Sequence, residues 1–163
     1  MEGQVSRRVA TSLETVLNMT QQSLCVWHQE TLLNASIIAN SDEIRAAIQK
    51  QAALPHRYAD VVRSAPLRDL RQKLRPYVDR LGYIDFEVIS RDSVQIASGQ
   101  TDLLGQTTIA DMNREFLDSI FAGITQICEP LRLPSQFRRT TSSANMALGV
   151  PVFNDQANNV RQS

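Results

Sequence analysis

Neither proline nor glycine interrupts residues 4–39, and along that stretch the apolar side chains return at steps of three and four. Val5, Val9, Leu13, Val16, Thr20, Leu24, Trp27, Thr31, Ala35 and Ile38 fall on one helical face. A single amphipathic helix of this length spans roughly 50 Å, at about 1.5 Å per residue. A small domain does not need so long an element. Part of it is expected to pack on the body, and the rest to project or to pair with a second copy. Polar Thr20 and Thr31 on the stripe argue against an unbroken coiled coil.

Past this helix the punctuation becomes dense. Asn40-Ser41-Asp42-Glu43 reads as a break followed by a new N-terminus, with Asn40 as cap and Glu43 completing a capping box. A helix from Ile44 to about Leu54 stops before Pro55. Pro66 opens another at its first turn, Pro76 is placed to kink it, and Gly82 ends it. The period then changes from about 3.6 to 2. Ile84, Phe86 and Val88 alternate with Asp85 and Glu87, Arg91-Asp92-Ser93 supplies a turn, and residues 94–98 alternate again. This is an antiparallel hairpin. Gly99 and Gly105 bracket a loop, residues 111–122 carry a helical face of Met112, Phe116, Leu117, Ile120 and Phe121, and a last strand runs from about Asn145 to Phe153. Helices segregated from antiparallel strands predict an α+β fold, with residues 1–40 as the helical arm and 41–163 as the body.

Charge narrows the function classes. With 17 Lys+Arg against 17 Asp+Glu in 163 residues, there is no basic surplus to meet a nucleic acid. The basic stretch from Arg57 to Arg80 also carries Asp60, Asp69 and Asp79, and reads as a solvated helix face. No window approaches the roughly 18 apolar residues of a membrane span, and Met1-Glu2-Gly3-Gln4 does not open a signal peptide. Cys25 and Cys128 are too few for a zinc site or a disulfide framework. Both are expected to be buried as small apolar residues, a single disulfide remaining open in an oxidising compartment.

The usual catalytic signatures are missing: no glycine-rich phosphate loop, no GxSxG elbow and no HExxH pair. His28 reads as a helix-surface residue and His56 as a loop residue. The chain is therefore expected to be neither an enzyme nor a metal or cofactor protein. A ligand site is expected on the hairpin. If the face carrying Tyr83, Asp85 and Glu87 is roofed, its carboxylates favour a cationic or amine ligand, because burying them unpaired is costly. Phe116 from the following helix joins this wall. Arg132 and Arg138, in the loop before the last strand, are placed to clamp a carboxylate instead.

Four phrases, taken in order, resemble the Cache family of PAS-like extracytoplasmic sensor domains. Residues 33–44 are similar to the family's small-apolar ending of the entry helix. Gly82 to Asp92 resembles its first hairpin, Val94 to Gln106 its strand, loop and Gly-Gln passage, and Val150-Pro151-Val152-Phe153-Asn154-Asp155 its apolar-Pro-Val strand and turn. Arg91-Asp92-Ser93 and Asp155-Gln156-Ala157-Asn158 stand where the family often has Asp-x-x-Gly. The strand expected after Asn159 barely begins, which leaves either a sheet one strand short or a chain that ends within the domain. The resemblance implies a PAS-like antiparallel sheet backed by the long helix, sensing a small molecule for a bacterial membrane receptor. It implies a periplasmic location reached through flanking membrane segments, and a homodimer formed through the N-terminal helix. The alternative is a structural or dimerisation module that binds no ligand.

Overall fold

The computed structural model describes residues 2–102, 104–107, 113–128 and 146–153, with the backbone alone for residues 2–6. The expected α+β mixture is present. Helix α1 (Glu2–Ala39) is followed by α2 (Asp42–Ala52), the short α3 (Tyr58–Val61) and α4 (Ala65–Leu81). A hairpin of β1 (Glu87–Ile89) and β2 (Gln95–Ser98) comes next. Helix α5 (Arg114–Phe121) then leads to β3 (Gln126–Ile127), which pairs with β4 (Leu148–Gly149). Both pairings are antiparallel, in two separate two-stranded sheets. Among the described residues no helix is long and apolar enough to cross a membrane.

The sequence forms α1 as a single rod because nothing in it breaks the hydrogen-bond ladder. Its threonines do not compete with that ladder, since the Thr11, Thr15 and Thr20 hydroxyls donate back to the carbonyls of Arg7, Thr11 and Val16. Thr20 therefore sits on the apolar stripe with its polar group already satisfied. Residues 7–30 are exposed throughout, Leu13 at 64% and Trp27 at 49%. Only the last turns are partly covered, and Ile38 packs against the core.

The helix break is capped differently from the sequence expectation. Ser41, not Asn40, is the N-cap of α2, and its side chain makes no capping bond. The Ser41 hydroxyl donates to the Ile38 carbonyl at 2.8 Å. The Asn40 amide is drawn to carbonyls on both sides, Ser36 and Pro151, each at 3.2 Å. Asn40 thus closes α1 and ties its end to the chain just after β4.

The core joins α2, α4 and β2: Ile44 and Ala47, then Leu67, Leu70 and Leu74, then Ala97, with Val61 and Leu104 closing the edges. Ser64 caps α4 by accepting the Leu67 N–H at 3.1 Å. Pro76 lies inside α4 without ending it, and Gly82 closes the helix at φ 70°, a left-handed conformation that suits glycine. Arg71 of α4 donates to the carbonyls of Ser98 and Gln100, fastening the helix to the end of β2.

The hairpin is shorter than its sequence pattern predicts. Phe86 and Val88 pack on the core as expected, but Ile84 is 57% exposed and lies outside β1. The alternation expected along β2 is also absent, since all four of its residues are buried. Two backbone bonds also cover the outer edge of β2: Gln95 N donates to Gln106 O at 3.0 Å, and Gly105 N to Gln95 O at 2.8 Å. Chain thus flanks β2 on both edges. Gly105, at φ 74°, lies so close to Tyr58 that a β-carbon there would stand 2.8 Å from the Tyr58 nitrogen. Cys128 is buried as expected, whereas Cys25 is exposed on α1; both thiols are free. The expectation failed at Cys25 because the body covers only the far end of its helix.

Candidate functional site

The hairpin residues expected to wall a pocket are placed by one carboxylate. Asp85 Oδ1 accepts the Phe86 N–H at 2.8 Å and the Gly99 N–H at 3.0 Å, while Oδ2 accepts the Ser98 hydroxyl at 3.1 Å. A β-carbon at position 99 would lie 2.1 Å from Asp85 Oδ1, so a side chain there would displace the carboxylate. The side chain thus staples the start of β1 to the end of β2. All three bonds lie within the hairpin, so the carboxylate sets local geometry there. Glu87 is exposed at the start of β1. Tyr83 is half-buried, and burial pushes its phenol above the usual tyrosine range.

Phe116 belongs to another neighbourhood. On α5 it faces β4, where a β-carbon at Gly149 would lie 2.7 Å from the Phe116 ring and 2.5 Å from Ile120. Its carbonyl accepts from Gln126 of β3 at 3.4 Å. The described contacts bring Phe116 to the β3–β4 sheet and Tyr83, Asp85 and Glu87 to the β1–β2 hairpin. Arg132 and Arg138 lie outside the described residues.

Sequence reasoning passed over two groups. His56, in the loop after α2, sets Nε2 3.2 Å from the Ala52 carbonyl and Nδ1 3.0 Å from Asp92 Oδ2 in the β1–β2 turn. Asp92 also accepts the Ser90 hydroxyl. That hydroxyl and the His56 ring hold the Asp92 carboxyl below the usual carboxylate range. The turn residue Ser93 has φ 66°, a left-handed conformation uncommon for a residue other than glycine. The second group is Gln95, buried in β2 with no hydrogen-bond partner among the described residues at either side-chain nitrogen or oxygen. Leaving a buried polar group unpaired costs about 1–3 kcal/mol, so a native core seldom retains one without cause.

Depressions among the described residues lie along α4, at Arg71, Gln72, Arg75, Pro76 and Asp79, and along α1 around Trp27; both are open to solvent. Among the described residues no group of three or more His, Cys, Asp or Glu side chains could hold a metal ion. No family model, curated protein or solved structure matches the chain.

Proposed function

We propose that this chain is the small-molecule-sensing domain of a bacterial membrane receptor, of the PAS-like Cache type, and that it is not an enzyme. In this reading residues 41–163 form the sensor and lie outside the cytoplasm, and the chain reaches the membrane through flanking segments. Helix α1 carries the signal.

The observation that carries the reading is the continuity between arm and core. Along α1 the stripe repeats every eleven residues, Val16 to Trp27 to Ile38 and Leu13 to Leu24 to Ala35. Eleven residues make three turns at about 3.67 per turn, so the stripe stays nearly straight along the rod. One end of it, Ile38, is packed in the body's core, and the stretch from Val9 to Trp27 stands uncovered. Asn40 bonds that same end to Pro151. A rearrangement of the core therefore has a rigid element to move, and an apolar face on which a second copy reads the movement. A ligand drives such a shift only through its different affinity for the two arrangements.

Calorimetric titration of the full chain against a metabolite panel spanning cations, anions and neutral polar compounds tests this. Binding heat is expected from one class, accompanied by a changed distance between spin labels on Cys25 of paired copies. Silence across the panel from a chain that still dimerises supports the second reading, a dimerisation module. The staple closing Asp85 favours that alternative, because it removes the most obvious ligand contact from the hairpin.

A further inference from the structure

Helix α4 concentrates charge that the chain as a whole lacks. It carries five cationic side chains, Arg68, Arg71, Lys73, Arg75 and Arg80, against the acidic Asp69 and Asp79, while the chain's net charge is zero. These cations are treated differently. Lys73 is neutralised by Asp69 at 2.9 Å and Glu43 at 3.4 Å. Arg71 is fastened by neutral groups instead, its Nε donating to the Ser98 carbonyl at 2.7 Å and its Nη2 to the Gln100 carbonyl at 3.1 Å. Among the described residues no carboxylate pairs with it. A guanidinium has five N–H donors, so this fixed, half-buried group keeps its charge and has donors to spare. One turn on, Arg75 lies 3.7 Å from Asp79, and both side chains are largely exposed. A pair so placed contributes little and opens readily. Arg71, Gln72, Arg75, Pro76 and Asp79 line a depression of about 570 Å³, within the roughly 300–1,000 Å³ range of small-molecule sites. A helix face that is merely solvated needs neither the fastened guanidinium nor the hollow beside it.

We infer that this depression is an anion site, in which Arg71 and Arg75 together hold a small soluble oxyanion, a phosphate monoester or a dicarboxylate. Such anions present paired oxygen acceptors that match the planar fork of a guanidinium. Arg71 is already oriented, Arg75 exchanges its slack contact with Asp79 for the anion, and the Gln72 amide supplies an N–H at the rim. Because Arg71 also holds the Ser98 and Gln100 carbonyls, occupancy is felt at the end of β2. The inference rests on the sensor reading, gives it a ligand class, and places the ligand on α4 and away from the hairpin carboxylates.

The test uses the full chain with inorganic phosphate and succinate, each compared with sodium chloride at equal ionic strength, and with methylammonium as a cationic control. Phosphate or succinate is expected to move the Nε–H resonances of Arg71 and Arg75, while chloride and methylammonium leave them in place. Arg75→Gln should weaken the anion at least about 10-fold, the scale of one lost hydrogen bond to a charged group. Asp79→Asn, which removes the competing carboxylate, should tighten it, and Arg80→Gln should bind as the wild type does. All three positions are exposed, so the core is undisturbed. A response no larger than that to chloride overturns the inference, as do equal losses in Arg75→Gln and Arg80→Gln, which mean diffuse attraction alone. Binding only to vesicles containing phosphatidylglycerol, with both soluble anions silent, overturns it too. If a neutral or cationic metabolite binds while both anions are silent, the sensor reading stands and the α4 site falls. Anion binding that is lost in Arg75→Gln but leaves the Cys25 spin-label distance unchanged keeps the site and removes the sensor reading.

Discussion

At Asp92 a single carboxylate meets three elements of the body. It accepts from Ser90 at the end of β1, lies in the turn itself, and faces His56 after α2. The Asp92 carboxyl is held below its usual range, mainly by the Ser90 hydroxyl and next by His56. A depressed carboxylate contributes stability above the unfolded-state value, about 3.9. That contribution disappears as pH falls through the lower folded-state value. Urea unfolding of wild type and Asp92→Asn should therefore differ most near neutrality, and the difference should shrink below about pH 4. The side chain is 59% exposed, so solvent screens the effect and it will be small. A difference that stays constant across the acid range would show that the carboxylate's charge is not what holds the turn.

Among the elements, α4 was the most legible from sequence. A proline at its first turn and a glycine past its end fixed both limits, and the cap residue, Ser64, does two jobs. Its oxygen accepts from Leu67 N while its proton goes to the buried Gln51 oxygen. Ser64→Ala should therefore cost more than a cap alone, about 2 kcal/mol or more in urea unfolding. Ser64→Thr should recover most of it. A loss confined to a few tenths would mean that Gln51 finds another donor. The hairpin was legible in place but not in extent. Alternation marked Phe86 and Val88 correctly, but it could not register that Asp85 folds back onto Gly99, a contact between residues far apart along the strand pair. Nor could it foresee that residues 105–106 bond to the outer edge of β2, or that all four residues of that strand are buried. The pairing of β3 with β4 was invisible because two residues carry no readable period.

For the molecule as a whole, the sequence pattern led to a long N-terminal helix and a mixture of helices with antiparallel strands, and the structure has both. The candidate site transferred less well. Charged residues on an alternating strand suggested a polar pocket wall, yet local geometry consumed Asp85, and Phe116 went to a different sheet. The residue that stands out instead, Gln95, is marked only by burial, which no single-sequence pattern reports. The account of the whole molecule rests on coupling between β2 and the end of α1 through the shared core of α2, α4 and Ile38. Amide hydrogen exchange with and without a saturating compound from the metabolite panel measures that coupling directly. The account predicts added protection along residues 95–98 together with altered exchange in residues 31–39 of α1. Protection at β2 with α1 unchanged would contradict it, leaving a binding domain with no path to its arm.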